Sequence, residues 1–343
     1  MAALVAGLAG AGLQAAADFP SWAYGVTTPP PPSLPPPAAP AAGGGRGGNA
    51  PAPDPTLLSL PGASQQFTRA QIANQYAPAD WYPGDHPVMP EIVAKGKQAQ
   101  IVAACGLCHM PNGKGRPENA PVAGLPVEYF VKTLMDFKND VRKSSDPRKA
   151  NTNRMIAFAK AMTDEEMRQA ATYFESMPWT RWIRVAEVSA VPKTRIQGGM
   201  FLRLDGKDTE PLGNRIIEAP EDTERTEVLR DPRSGFVAYA PIGSVKRGQV
   251  LATTGGNGKT VVCATCHGAN LQGTGPVPGI AGRSPSYLVR QMHDMQTGAR
   301  SGSWAELMKP VVEKLTAEDF VAIAAYVASR PQPAARGIET AAR

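Results

Sequence analysis

The strongest hydrophobic pattern in the chain belongs to two amphipathic segments that each follow a threonine and end before a proline. Thr163 and Glu166 form a capping-box pattern, which predicts a helix over residues 164–177. Thr316 opens a second helix of the same kind over residues 317–330. Apolar residues recur at helical spacing in both, so the chain is predicted to be mainly α.

Two further segments with helical patterns precede these helices, at residues 91–103 and 245–253. Residues 179–242, between the two helical regions, have a different pattern of residue types. Short runs of branched and aromatic residues are separated there by glycine, proline and charged turns, which is typical of strands. We therefore expect an extended or β-rich connector between two helical domains.

The two helical regions are copies of one unit. A shift of 158 positions carries Cys105 onto Cys263, and without a gap it also aligns Gly115 with Gly273, Tyr129 with Tyr287, Asp136 with Asp294 and Arg142 with Arg300. After a slip of five residues, Met155 aligns with Met308. We assign residues 89–178 to a first repeat and residues 243–331 to a second, each predicted to be a small helical domain.

Four segments lie outside the repeats and the connector. Residues 1–17 have an apolar run followed by small residues, which predicts a signal peptide, with an uncleaved tether as the alternative. Residues 18–55 are rich in proline, alanine and glycine, so we expect a disordered tether. Residues 56–88 are predicted to be a lead-in packed on the first repeat, and residues 332–343 a flexible tail. The protein is thus expected to be exported to the periplasm.

Charge adds little to this picture. The chain has 343 residues, of which 42% are hydrophobic and 19% charged, and its formal net charge is +6. These values are ordinary for a globular protein. The basic residues alternate with acidic ones and form no continuous run, so nucleic acid is not predicted as a partner.

The spacing of the cysteines indicates which cofactor the protein binds. All four lie in two Cys-x-x-Cys-His strings, Cys105-Gly-Leu-Cys108-His109 and Cys263-Ala-Thr-Cys266-His267. This string places two thiols one helical turn apart, where they can form thioethers with haem, and places an imidazole where it can bind the iron. A zinc site and a dithiol redox site are the alternatives, but zinc needs four ligands in one place. Two covalently bound haem c groups are therefore predicted, with His109 and His267 as axial ligands.

A second axial ligand is needed in each domain. Met155 and Met308 are our candidates because they correspond in the two repeats, and we expect each to lie in a loop before the last helix. A thioether favours ferrous iron and leaves no open coordination position, which indicates electron transfer. The other two histidines, His86 and His293, do not follow the repeat and are predicted to be solvated or hydrogen-bonding residues.

At these residues the chain resembles the class I c-type cytochromes, and among them the dihaem proteins of the cytochrome c4 kind. The resemblance rests on the two haem strings, the methionines, the final aromatic helices and the segment 278–282. It implies that the Pro278 carbonyl accepts a hydrogen bond from the haem-ligand histidine of the second repeat. Ala120 occupies the equivalent position in the first repeat. The resemblance also implies a crossing of the first and last helices through a glycine and an aromatic residue, namely Gly96 with Tyr173 and Gly248 with Tyr326.

The resemblance implies a one-electron carrier rather than an enzyme. Its partners would be a donor, such as a dehydrogenase or cytochrome complex, and an acceptor such as a terminal oxidase, with a membrane-bound respiratory complex among the possibilities. A dihaem enzyme of the peroxidase or thiosulfate-oxidising type is the alternative, and it requires a haem with an open or displaceable sixth position. A haem-based sensor is a third alternative, for which the sequence has no dedicated output segment.

Overall fold

The computed structural model describes residues 19–29 and 54–332. The predicted signal peptide, most of the predicted tether and all but the first residue of the predicted tail lie outside these residues. The helices of the lead-in and the first repeat are α1 (Arg69–Ile72), α2 (Glu91–Ala94), α3 (Cys105–His109), α4 (Val127–Lys138), α5 (Ala150–Ala161) and α6 (Asp164–Ser176). Those of the second repeat are α7 (Ser244–Thr254), α8 (Ala264–His267), α9 (Pro285–Gln296), α10 (Ser303–Glu306), α11 (Lys309–Val312) and α12 (Ala317–Ser329).

The last helix of each repeat begins where the capping pattern predicts. Thr163 accepts a hydrogen bond from the backbone N–H of Glu166, whose side chain accepts one from the Thr163 N–H in return. Thr316 and Asp319 form the same reciprocal pair at the start of α12. Both pairs satisfy backbone donors that a helix N-terminus otherwise leaves free. The prediction of these two helices is confirmed.

The opening helices of the two repeats differ. In the second repeat, α7 packs on α12 so closely that a side chain on Gly248 would overlap the backbone of Ala322 and crowd Tyr326, as the resemblance implies. In the first repeat, the prediction of a helix over residues 91–103 is wrong, because α2 ends at Ala94.

A tight turn at Gly96 is the reason that α2 stops. Gly96 has φ +66°, a left-handed conformation that side chains disfavour, and the backbone of Lys97 then pairs with that of Val102. The atoms nearest to a Cβ on Gly96 would be backbone atoms of residues 102–104. This glycine is therefore needed for the turn, and no atom of Tyr173 is among the three atoms nearest to a Cβ at this position.

The connector is built from strands, as the sequence predicts. They are β1 (Ile183–Glu187), β2 (Ala190–Pro192), β3 (Thr194–Gln197), β4 (Met200–Arg203), β5 (Thr209–Pro211), β6 (Ile217–Pro220) and β7 (Phe236–Ala240), with a π-helical turn at Glu224–Val228. A three-stranded sheet has the order β1-β7-β6, in which β1 and β7 are parallel and β7 and β6 antiparallel. The strands β3 and β4 form one antiparallel pair, and β2 and β5 another. The sheet lies against α12 of the second repeat.

The two repeats meet through equivalent residues. Arg142 of the first repeat and Arg300 of the second lie opposite each other in an antiparallel backbone pairing. The Arg142 guanidinium donates to the Tyr287 hydroxyl at 3.2 Å, and the Arg300 guanidinium donates to the Tyr129 hydroxyl at 3.0 Å. Because each arginine contacts the tyrosine of the other repeat, the interface has an approximate two-fold symmetry that follows from the duplication.

Residues 19–29 form an N-terminal strap across this interface. The prediction of a disordered segment over residues 18–55 does not hold for them, because their aromatic side chains bury apolar surface. Tyr24 is 2% exposed, and its hydroxyl donates to Asp294 at 2.7 Å. Arg148 donates to the Thr28 carbonyl at 2.7 Å. The strap thus contacts both repeats.

The lead-in and one part of the connector pack together beside the first repeat. Leu60, Ile72, Trp81 and Tyr82 form a small apolar cluster. The Trp81 indole N–H donates to the carbonyl of Leu229 in the connector at 2.8 Å. In the described ranges, no helix is long and apolar enough to cross a membrane.

Candidate haem sites

The first haem string forms the short helix α3. One helical turn brings Cys105 and Cys108 to neighbouring positions, and His109 follows directly at the helix end. The Nδ1 atom of His109 lies 2.9 Å from the Ala120 carbonyl oxygen. This hydrogen bond fixes the ring and leaves Nε2 as the nitrogen available to iron.

The second string has the same arrangement. Cys263 is the N-cap residue of α8, which contains Cys266 and His267. The His267 Nδ1 atom lies 2.8 Å from the Pro278 carbonyl oxygen, the contact that the resemblance implies. In the first repeat Ala120 provides the equivalent carbonyl, so the absence of proline there does not remove the hydrogen bond.

Burial sets the protonation of these groups. It lowers the pKa of both His109 and His267, which favours the neutral imidazole that binds a metal. Burial also raises the pKa of Cys105 to about 12 and that of Cys263 to about 11. Reactive redox cysteines have lowered pKa values, so these thiols do not fit a dithiol redox site. Within residues 19–29 and 54–332, no three histidine, cysteine or acidic side chains cluster as a zinc site requires.

A large cavity adjoins the first string. It is lined by Cys105, Cys108, His109 and Met155, and most of its remaining wall is apolar, including Val122, Phe130, Leu134, Phe137, Phe158, Met162 and Phe174. Its polar lining residues include Arg142 and Asn151, together with Tyr287 and Arg290 from the second repeat. An apolar cavity with two thiols and an imidazole on its wall and cationic groups among its lining residues fits a porphyrin that has acidic propionates.

The two candidate methionines occupy different backbone settings. Met155 lines this cavity, but it lies within α5 rather than in a loop, so the prediction of a loop is wrong for the first repeat. Met308 lies between α10 and α11, as predicted for the second repeat. It is half-buried and packs against the main apolar core.

The remaining histidines form hydrogen bonds, as predicted. The two ring nitrogens of His86 lie 3.1 Å from Asp80 and 2.9 Å from the Pro87 carbonyl. The Nδ1 atom of His293 lies 2.9 Å from the Tyr24 hydroxyl, and burial lowers the pKa of this histidine to about 4. Neither residue lines the cavity beside the first string.

One residue near the first site could not be recognised from the sequence. The guanidinium of Arg230, in the connector, donates to the carbonyl of Leu107, which lies between the two cysteines of the first string. Burial lowers the pKa of Arg230 to about 10, which still leaves it charged at neutral pH. The two residues are 123 positions apart, and the second repeat supplies no counterpart in the sequence alignment.

Comparison with known proteins agrees with this description. The family model described as Cytochrome c matches residues 93–178 and 245–331, about half of the chain. A thiosulfate dehydrogenase electron acceptor of Stutzerimonas stutzeri (strain A1501) is 38% identical over 89 residues, which cover 25% of this chain and only 40% of that protein. A cytochrome c4 of Azotobacter vinelandii is 23% identical over 230 residues, which cover 66% of this chain and 83% of that one.

Among solved structures, the reduced recombinant cytochrome c4 from Pseudomonas stutzeri matches with a TM-score of 0.43 and 20% identity. The match covers 66% of this chain and 93% of that chain. The double family match and the cytochrome c4 relatives confirm the resemblance to dihaem cytochromes. The chain therefore belongs to the cytochrome c family, contains that family's domain twice, and carries two covalently bound haem c groups.

Proposed function

We propose that this protein is an exported dihaem carrier that moves single electrons from a periplasmic or membrane-bound donor to an acceptor such as a terminal oxidase. The donor would be a dehydrogenase or a cytochrome complex. Each haem iron supplies a one-electron ferric/ferrous couple. The residues of the chain hold the haem, fix its axial imidazole and exclude water from it.

The observation that carries this proposal is the equivalence of the two sites. His109 and His267 follow identically spaced cysteines and bind backbone carbonyls at 2.9 and 2.8 Å. We propose Cys105, Cys108, Cys263 and Cys266 as the points of haem attachment, and Met155 and Met308 as the second axial ligands. The position of Met155 on the same cavity as His109 supports this assignment. Iron with a histidine and a methionine has no open position for a substrate, which favours a carrier over an enzyme.

The contact between the repeats supports transfer within the molecule. The cavity of the first repeat is partly lined by Tyr287 and Arg290 of the second. Arg142 and Arg300 connect the two domains through reciprocal hydrogen bonds to tyrosines. This arrangement holds the two haem domains together, so that an electron arriving at one can pass to the other.

The names of two relatives suggest a class of donor to test. Both are thiosulfate dehydrogenase electron acceptors, from Stutzerimonas stutzeri and Thiomonas intermedia. We propose enzymes that oxidise inorganic sulfur compounds as candidate donors for this chain. In that case the purified protein accepts electrons from such an enzyme and does not oxidise thiosulfate itself.

A potentiometric titration of the purified protein tests the proposal. We expect two reversible one-electron steps, low-spin spectra for both haems, and no turnover of peroxide or thiosulfate in the absence of a partner enzyme. A high-spin haem together with such turnover would contradict the carrier function and favour the dihaem enzyme. The thiosulfate assay repeated with an added thiosulfate dehydrogenase tests the donor class separately.

A further inference from the structure

Lys149 is a buried cation on the wall of the cavity beside the first haem string. It is the N-cap residue of α5 and is 8% exposed. It lines the same cavity as Cys108 and His109. Lysine is rarely buried to this degree unless its charge has a partner. We therefore expect a partner for this charge in the cavity or beside it.

The protein itself satisfies only part of the Lys149 ammonium group. The Nζ atom donates to the carbonyl of Tyr24, in the N-terminal strap, at 3.4 Å, which is a long hydrogen bond. Within the described residues, Lys149 forms no ion pair and Nζ forms no second hydrogen bond. Because an ammonium group has three N–H donors, two of them are available to a group in the cavity.

The carboxyl groups near this ammonium already have other partners. Glu118 pairs with Arg116 at 2.7 Å, and Asp146 pairs with Arg148 at 2.6 Å. Asp294 accepts hydrogen bonds from a tyrosine hydroxyl and from a backbone N–H. The acidic side chains of this region therefore do not neutralise the buried ammonium.

Arg290 adds a second buried positive charge to the same cavity wall. It is 5% exposed, and its two terminal nitrogens donate to the carbonyls of Ala23 and Pro117. In the part of the chain that the structure describes, Arg290 forms no ion pair either. Burial, together with this guanidinium, lowers the pKa of Lys149 to about 7. Two buried cations without an acidic partner favour an anion in the cavity.

The first haem supplies such an anion, because a haem c group has propionate carboxylates. The second repeat offers no equivalent cation. The alignment that pairs Met155 with Met308 pairs Lys149 with Gly302. A pairing of this lysine with a propionate would therefore be a property of the first haem alone.

We propose that Lys149 binds a propionate carboxylate of the first haem, and that the N-terminal strap holds the lysine in place for this contact. This inference rests on the haem attachment proposed above for Cys105 and Cys108. A carboxylate accepts the donors that the strap leaves available and neutralises the buried charge. The positive charge in turn disfavours the ferric state, so it raises the potential of one haem and not of the other.

Three variants test this proposal. Lys149→Met removes the charge and keeps an unbranched side chain, whereas Lys149→Arg keeps the charge. Lys143→Met is the matched control, because Lys143 lines the same cavity but is exposed, so that solvent screens its charge. The mass of each denatured variant first establishes that both haems are attached. Potentiometric titrations and resonance Raman spectra of the haem propionates are then recorded at neutral pH.

We expect Lys149→Met to increase the ferric-to-ferrous ratio of one haem about fivefold at a fixed applied potential, because the loss of a positive charge favours ferric iron. The propionate bending band of one haem should also shift, since its carboxylate loses a charged hydrogen-bond donor. Lys149→Arg should restore both values. Lys143→Met should change the ratio by less than about 1.5-fold and leave the band in place.

A changed potential with an unchanged propionate band in Lys149→Met would overturn the proposal, because the lysine would then act only as a distant charge. Unchanged potentials in Lys149→Met would also overturn it, and so would equal shifts in Lys143→Met. The same titrations separate this proposal from the carrier function. Two reversible one-electron steps in every variant would leave the carrier function in place whichever residue binds the propionate.

If Lys149→Met does not retain both haems, the unmodified protein and Lys149→Arg are compared between about pH 6 and about pH 8. A carboxylate partner raises the pKa of a lysine, so both side chains should stay charged and the potentials should vary with pH in the same way. The other charged groups around Lys149 are the same in both proteins, namely Arg290, Glu118, Asp146 and Asp294.

A potential that falls near pH 7 in the unmodified protein but not in Lys149→Arg would overturn the proposal. Such a fall would show that the ammonium loses its proton as the pH rises through about 7, as expected for a buried lysine without an anionic partner. Equal pH dependence in the two proteins would support the pairing of Lys149 with a propionate.

Discussion

At the scale of single residues, the second axial ligands are the most consequential assignment. Met155 and Met162 line the same cavity, but only Met155 corresponds to a methionine in the second repeat. We expect Met155→Leu to remove the absorption band of methionine bound to ferric iron from one haem and to lower its reduction potential. Met162→Leu, the matched control, should preserve the band because it changes only packing. The reverse result would assign the ligand to Met162.

The same comparison applies to the second repeat. Met308 is the candidate ligand, and Met292, which is buried in α9, is the control. Met308→Leu should remove the methionine band of the other haem, and Met292→Leu should leave it in place. Retention of both bands in Met308→Leu would contradict the assignment. The double variant Met155→Leu with Met308→Leu should lose the band entirely.

Arg230 should influence the potential of the first haem. The positive charge of this half-buried side chain lies beside the first string and disfavours the more positive ferric state. We expect Arg230→Gln to lower one of the two midpoint potentials by about 40 mV, equivalent to about 1 kcal/mol for one electron. Arg233→Gln is the control, because Arg233 forms a surface pair with Asp85. A potential unchanged in Arg230→Gln would show that solvent screens this charge.

At the scale of elements, the crossing of α7 and α12 depends on the absence of a side chain at Gly248. A Cβ there would overlap the carbonyl of Ala322, which belongs to a helix backbone and cannot move easily. We expect Gly248→Ala to destabilise the second repeat by about 1–3 kcal/mol, measured by thermal denaturation. Gly84→Ala is the control, because nothing lies within 4 Å of a Cβ at that position. Equal melting temperatures for the two variants would contradict the tight crossing.

Sequence patterns were sufficient to predict the elements that depend on residues close together in the chain. The two capped helices, the haem strings and the β-rich character of the connector could all be predicted, because their signals lie within a few residues of each other. The helix over residues 91–103 failed because the helical pattern continues past Gly96, whereas the chain turns there. The prediction of a loop at Met155 failed because it rested on the position of this residue before the last helix, which does not distinguish a loop from α5. Met308, at the corresponding position, does lie between helices.

Contacts between distant residues could not be predicted. Arg230 lies 123 positions from Leu107, and Tyr24 lies 270 positions from Asp294. The separation of such residues in the sequence follows no helix or strand periodicity, and neither pair has an equivalent pair in the other repeat. The sequence therefore predicted both haem strings but not the contact of Arg230 with the first of them. It also placed the N-terminal strap in a disordered segment.

At the scale of the whole molecule, the strap contributes to the contact between the repeats. The Tyr24 hydroxyl donates to the buried Asp294 carboxyl, which also accepts the backbone N–H of Ser145. We expect Tyr24→Phe to reduce the free energy of unfolding by about 1–2 kcal/mol, measured by denaturant titration, since it removes a buried hydrogen bond to an ionisable group. Tyr76→Phe is the control, because the Tyr76 hydroxyl has no hydrogen-bond partner among the described residues. Equal stability of the two variants would argue against this role.

The central claim is that both Cys-x-x-Cys-His strings carry haem bound through thioethers. The most direct test is the mass of the purified, fully denatured protein, from which any non-covalently bound cofactor has been removed. We predict a mass that exceeds that of the mature polypeptide by two haem groups, and by one in a variant with Cys263→Ala and Cys266→Ala. A mass equal to that of the polypeptide alone would contradict the account.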